Sequence, residues 1–165
     1  MDLLVNASGF ALWGDRKLRC AIGRGGISTA KREGDGATPS GRFPLRFVLF
    51  RPDREAAPQT ILPNRPIGQS DGWCDAVEDR AYNRLVQLPY GASAETLWRQ
   101  DHVYDLIVPL GYNDVTVTAG RGSAIFLHLA TPDFAPTAGC VALAHDDLLA
   151  VLSNADATTR VVVAA

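Results

Sequence analysis

Two residues in the last third of the chain have the types that acyl-transfer chemistry needs. Ser123-Ala-Ile-Phe-Leu-His128 is an apolar run ending on a histidine, and Thr137-Ala-Gly-Cys140-Val-Ala-Leu143 sets a cysteine directly behind a glycine. A cysteine at its ordinary pKa is only a few per cent thiolate near neutral pH, so it attacks a carbonyl only with help from a base or cation. A histidine can take the thiol proton and later return it to a departing amine. Lowering the thiol pKa from about 8.5 to about 7 is worth roughly 2 kcal/mol, within the reach of one paired imidazole.

Each residue also has a plainer reading. A free cysteine is most often a small buried apolar residue. Against that, Gly139 permits close backbone approach, and Pro136-Thr137-Ala138 sets up a tight bend. Such a turn can offer the N–H groups of Gly139 and Cys140 to an oxyanion. A lone histidine at a strand end is more often structural than catalytic. As a base, His128 would need a partner for its second ring nitrogen, for which Asp133 and a backbone carbonyl both qualify.

The elements that must position this pair read as mainly β. Leu3–Val5, Phe10–Trp13 and Lys17–Ile22 are short apolar or alternating runs separated by turn residues. Residues 23–41 carry six glycines and read as loop, and Phe43–Phe50 resumes as strand. Residues 51–82 form a long irregular excursion. Ser93–Arg99 reads as a short helix, Tyr104–Leu110 and Ala124–Leu129 as buried strands, and Val115–Thr118 as an alternating segment. His145–Leu152 is the strongest helix, with acids in its first turn. Arg160–Ala164 closes with a β-branched run. The expected architecture is a β-sandwich with one or two short helices, in a single domain over residues 1–165.

Composition narrows the function classes. The chain has 165 residues, 47% apolar and 21% charged, with a net charge of −2, which suits an ordinary globular core. The lack of a Lys/Arg block argues against a nucleic-acid partner. No apolar run approaches the length of a membrane span. Three scattered cysteines do not make a disulfide framework. Cys74, His128, Cys140 and His145 lack the close ligand pair of a zinc site, so neither metal nor cofactor is expected. Met1-Asp-Leu-Leu-Val-Asn6 lacks the basic start, longer apolar centre and cleavage site of a secretory leader. A cytoplasmic location is therefore the expectation, with the periplasm or cell envelope the alternative if the true start lies upstream.

The block around His128 and Cys140 resembles the catalytic motif of the L,D-transpeptidase family, also called the YkuD domain. In that family a histidine precedes a Ser/Thr-x-Gly-Cys turn. Gly36-Ala-Thr-Pro-Ser-Gly-Arg-Phe43 resembles its upstream Thr-Pro-x-Gly-x-Phe element, in the right order and about a hundred residues earlier. Two features depart from the commonest pattern. Ala138 stands where a histidine is usual, and Ala142 where an arginine is usual. Thr137 keeps a hydroxyl that can order the turn or the oxyanion hole.

The resemblance implies a bacterial β-sandwich enzyme with Cys140 as nucleophile and His128 as base. Its substrates would be peptidoglycan stem peptides or muropeptides, cut at the bond between diaminopimelate and D-alanine through a thioester. The acceptor would be an amine of another stem (a transpeptidase) or water (an L,D-carboxypeptidase that recycles muropeptides). A terminal carboxylate calls for an arginine fork, with Arg42, Arg84 and Arg121 as candidates. Trp73 and Asp75 are further candidate substrate contacts. The alternative from another class is a wall-fragment binding module in which Cys140 and His128 are structural.

Overall fold

Side-chain parity along four central strands decides what faces the cavity. The computed structural model describes residues 1–165. In chain order its strands are β1 (Leu3–Val5), β2 (Phe10–Trp13), β3 (Arg16–Ala21), β4 (Ile27–Ser28), β5 (Thr38–Pro39), β6 (Gly41–Pro44), β7 (Val48–Phe50) and β8 (Asn64–Pro66). They continue with β9 (Asp71–Cys74), β10 (Leu85–Gln87), β11 (Ala94–Thr96), β12 (Leu106–Pro109), β13 (Phe126–Leu129), β14 (Val141–Leu143) and β15 (Arg160–Val163), and the helix α1 (His145–Asn154) precedes β15. Ten strands form one sheet in the order β6-β15-β1-β2-β3-β14-β13-β12-β7-β8. A three-stranded sheet, β10-β9-β11, and the pair β4-β5 complete the fold.

Successive residues of a strand point to opposite faces, and β7, β12, β13 and β14 are buried on both. Val48, Phe50, Leu106, Val108, Leu127, Leu129, Val141 and Leu143 join the larger core, which α1 covers with Leu148, Val151 and Leu152. Leu49, Ile107 and Phe126 point the other way, into a smaller core with Trp73, Leu97, Tyr104 and Cys140. This double burial explains the continuous apolar runs of these strands, which show no polar alternation. The fold is thus mainly β with a sandwich-like arrangement and a single helix.

Strands β1, β2, β3, β12, β13 and β15 lie where the apolar runs put them, within a residue or two at each end, whereas the run Phe43–Phe50 is split between β6 and β7 and the stretch of residues 51–82 contains β8 and β9. The helix expected over Ser93–Arg99 is instead strand β11, paired antiparallel with β9 through Ala94↔Cys74, Glu95↔Trp73 and Thr96↔Gly72. Seven residues are too few for a helix to hold itself, and the open edge of β9 offers backbone partners that local propensity cannot match. Val115–Thr118 forms no strand and belongs to a bend-rich loop. There Asn113 accepts from the Thr118 N–H and donates to its carbonyl, closing the segment on itself. The loop of residues 23–41 is largely irregular, but β4 and β5 pair parallel within it.

Phe126 joins the smaller core to the main sheet. It is fully buried and receives edge contacts from Trp73 and Tyr104, with ring centroids 5.1 and 5.9 Å away. Phe126→Ala is expected to cost about 3–5 kcal/mol of unfolding free energy in urea. A loss under about 1 kcal/mol would show that the two sheets do not depend on this ring.

Candidate active site

Strands β13 and β14 run parallel, with His128 opposite Ala142. Cys140 lies two residues before Ala142 and therefore shares its face, diagonal to His128. Both side chains line a cavity of about 550 Å³, and each residue is 6% exposed. Thr137, Ala138 and Ala142 line the same cavity, as do Thr131, Ala135 and Pro136 of the connecting loop. That loop is held by Arg19, which donates to the Asp133 carbonyl at 3.1 Å and stacks over the Phe134 ring.

The cysteine turn is braced from several sides. The Thr137 hydroxyl donates to the Cys140 carbonyl at 2.7 Å and accepts from the Gly139 N–H at 3.1 Å. Thr38, completely buried, reaches the same carbonyl at 3.4 Å and accepts from the Gly23 N–H at 2.8 Å. The upstream Thr-Pro element is thus scaffolding for the cysteine turn. Gly139 has φ +141°, and a Cβ there would stand 2.9 Å from the Ala37 carbonyl oxygen. No other residue fits that position without moving the β5 segment.

The thiol and the imidazole are each oriented by backbone groups. Cys140 Sγ donates to the Ala124 carbonyl at 3.2 Å and accepts from the Phe126 N–H at 3.3 Å. Ala124 occupies the left-handed region, φ 52°, where the Asn83 side chain accepts from its N–H at 3.0 Å. Asn83 also accepts from Trp73 Nε1 at 2.9 Å. His128 Nδ1 lies 2.8 Å from the Leu129 carbonyl. A carbonyl only accepts, so Nδ1 carries the proton and Nε2 the lone pair. Asp133 does not orient the imidazole. It caps its own turn through Thr131 and Ala135. The Tyr104 ring meets His128 edge to face with centroids 5.3 Å apart.

Burial sets the charge state of the pair. It pushes the Cys140 thiol up to about 12, with the nearby Glu95 carboxylate adding to the shift. It pushes the His128 imidazole down to about 4. The resting pair is therefore a neutral thiol beside a neutral imidazole, the reverse of the lowered thiol pKa that the residue types suggested. A buried cavity penalises both charged partners, and one imidazole does not overcome that.

The comparison with known families decides the wider question. A family model described as the L,D-transpeptidase catalytic domain, YkuD, matches residues 4–163. The chain belongs to that family. Neither a curated protein nor a solved structure matches it. YkuD proteins are cysteine-dependent transpeptidases, and the family implies peptidoglycan as the substrate class.

Within this YkuD domain the expected binding residues are scattered. Asp75 lines the cavity. Arg42, on edge strand β6, is exposed and pairs with Asp2. Trp73 is buried in the smaller core, bonded to Asn83. Arg84 lines a separate cavity of about 370 Å³ with Trp73 and Leu85. Arg121 is absent from both linings, and its carbonyl accepts from the Tyr112 hydroxyl at 2.5 Å. His145 pairs with Glu55, away from the cavity. No group of three or more His, Cys, Asp or Glu side chains is placed to hold a metal ion.

The charged residues that do line the cavity are Arg24, Lys31, Glu33, Asp75, Glu95, Arg99 and Asp101. All except Asp75 escaped the sequence reading. Glu95 and Arg99 lay inside the expected helix, while Arg24, Lys31 and Glu33 lay in a glycine-rich loop with no periodic signal.

Two outcomes follow. Thr38→Val strands the buried Gly23 N–H and is expected to destabilise the chain by about 1–3 kcal/mol in urea unfolding. Thr38→Ser, which keeps the hydroxyl, should recover most of that loss. Alkylation of Cys140 by iodoacetamide, followed by peptide mass spectrometry, should rise about tenfold per pH unit from pH 7 to 10. A profile already flat above pH 6 would reveal a preformed thiolate–imidazolium pair.

Proposed function

We propose that the cavity performs cysteine acyl transfer on peptidoglycan stem tetrapeptides, at the bond between diaminopimelate and D-alanine. The observation that carries this reading is the joint placement of Cys140 and a His128 whose Nε2 lone pair is free, on one face of β13 and β14. Membership of the YkuD family supports the substrate class.

In the first half-reaction Cys140 Sγ bonds to the carbonyl carbon while its proton passes to His128 Nε2. The oxyanion meets the Cys140 N–H, which no group of the protein accepts, whereas the Gly139 N–H is occupied by Thr137. Collapse breaks the carbon–nitrogen bond, and His128 gives its proton to the departing amine of D-alanine. In the second half-reaction the acceptor, water or an amine of another stem, attacks the thioester. It loses its proton to His128, and the thiol leaves protonated. Of the cavity's cations, Arg24 forms no salt bridge, while Lys31 and Arg99 are bound to Asp35 and Asp101. Arg24 is therefore the group for the terminal D-alanine carboxylate, a role the expected arginines do not fill.

Products from a purified disaccharide-tetrapeptide, read by mass spectrometry, test the proposal and identify the acceptor. Tripeptide with free D-alanine marks water, and a cross-linked dimer or an exchanged D-amino acid marks an amine. Cys140→Ala should abolish every product, and His128→Gln should lower kcat/KM by about two to four orders of magnitude. Because the imidazole stays neutral above about pH 4, the acid limb of kcat/KM should fall below pH 5. A midpoint near the ordinary histidine value would contradict the assigned base. No product dependent on Cys140 would leave a wall-fragment binding module as the better description.

A further inference from the structure

Two backbone groups hold the Cys140 sulfur, the Ala124 carbonyl and the Phe126 N–H, and both belong to the short segment that enters β13. That segment is not relaxed. Ala124 has φ 52°, a conformation that costs a residue with a Cβ about 1–2 kcal/mol. Such a backbone persists only where its surroundings fix it, and an observed outlier of this kind beside a reactive side chain points to a functional constraint.

The groups that fix it come from the irregular stretch between β9 and β10. Tyr82 and Asn83 are consecutive, and both are buried. The Tyr82 hydroxyl accepts from the Gly122 N–H at 3.0 Å, and Asn83 Oδ1 accepts from the Ala124 N–H at 3.0 Å. Ser123, between those two, donates to the same Glu33 carboxylate that accepts from Tyr82. Neighbouring side chains thus grip alternate residues of the segment. Asn83 is itself fixed at both ends of its amide. Oδ1 also accepts from Trp73 Nε1, and Nδ2 donates to the Asn113 and Tyr112 carbonyls at 2.8 and 3.2 Å. The opposite amide orientation would set donors against donors and acceptors against acceptors. Neither Tyr82 nor Asn83 lines the cavity of Cys140 and His128, so any effect they have on chemistry there passes through the sulfur.

We propose that Tyr82 and Asn83 are positioning residues for the nucleophile: by clamping residues 122–124 they aim the Ala124 carbonyl and the Phe126 N–H at Sγ. The assignment rests on the acyl-transfer reading of the cavity and adds the device that aims its sulfur. The two backbone partners are complementary. The carbonyl accepts the proton of the neutral thiol, and the N–H donor suits the thiolate, so the sulfur keeps one place in both charge states. Placement matters on this scale, since a shift of about 1 Å at a reacting atom can cost about a hundredfold in rate. A pair that served loop packing alone would affect stability and leave the native thiol unchanged.

The test reads Cys140 against Cys20, which is buried in the larger core on β3 and reports global opening. Both thiols are alkylated with iodoacetamide below the unfolding transition and quantified by peptide mass spectrometry. Asn83→Gly tolerates the left-handed backbone of this position, φ 57°, and removes only the amide. It should raise alkylation of Cys140 by about fivefold or more and leave Cys20 within about twofold of wild type. On the tetrapeptide the same variant should lower kcat by about tenfold or more, with KM within about threefold. Tyr82→Phe removes a single oxygen and should raise Cys140 alkylation by about twofold or more, again without Cys20. It decides the matter if Asn83→Gly does not fold. Unchanged Cys140 alkylation, or a parallel rise at Cys140 and Cys20, overturns the assignment, as does an unchanged kcat in folded Asn83→Gly. If the wild-type protein forms no Cys140-dependent product, a selective rise at Cys140 upholds the positioning role and the acyl-transfer reading alone falls.

Discussion

The parallel pairing of Leu127, His128 and Leu129 with Val141, Ala142 and Leu143 governs the cavity. Because strand side chains alternate, this register sends the leucines and Val141 into the core under α1. It leaves His128, Ala142 and Cys140 on the opposite face. A shift by one residue would exchange those sets, burying an imidazole in the aliphatic core and exposing leucines to the cavity. The penalty for that exchange holds the register. The core and the site are consequently one construction, and the stability of the first enforces the geometry of the second.

Ala142 gains meaning in this frame. It faces His128 directly across the strand pair, where the commoner family pattern has an arginine. A methyl group there adds no charge beside the imidazole, and the cation whose field reaches His128 is Arg99 of the same cavity. The cavity's positive charge comes instead from Arg24, Lys31 and Arg99, on loops that converge from other parts of the chain. Two of these are already neutralised by acids, so the local field is weighted toward the carboxylates.

Burial gives this cavity both its order and its electrostatic difficulty. The same exclusion of water that orients Sγ and Nε2 through backbone partners also disfavours the thiolate and the imidazolium. Charge separation between them is costly in the empty cavity. In the proposed reaction, an oxyanion forming against a backbone N–H would offset that cost. On the proposed acyl-transfer reading, reactivity of the sulfur is thereby tied to occupancy.

Much was readable from the chain. The apolar runs located β1, β2, β12, β13, β15 and α1, because a strand buried on one or both faces must carry that pattern. Gly139 beside Cys140, and Thr38-Pro39 with Gly41 and Phe43, are local requirements that residue type alone expresses. The rest was decided in three dimensions. Whether residues 94–96 became helix or strand depended on the open edge of β9. The choice between Asp133 and a carbonyl as the histidine's partner depended on where the Leu129 carbonyl pointed. Arg42, Arg84 and Arg121 are the arginines that residue type and loop position suggest, yet it is Arg24, in the glycine-rich loop, that is carried to the cavity wall. The direction in which the thiol pKa moves followed from enclosure by distant segments. Sequence by itself determined which residues could do chemistry, because reactivity resides in side-chain type. Charge state and partnership depend on desolvation and on neighbours far along the chain, so only the tertiary structure decided those.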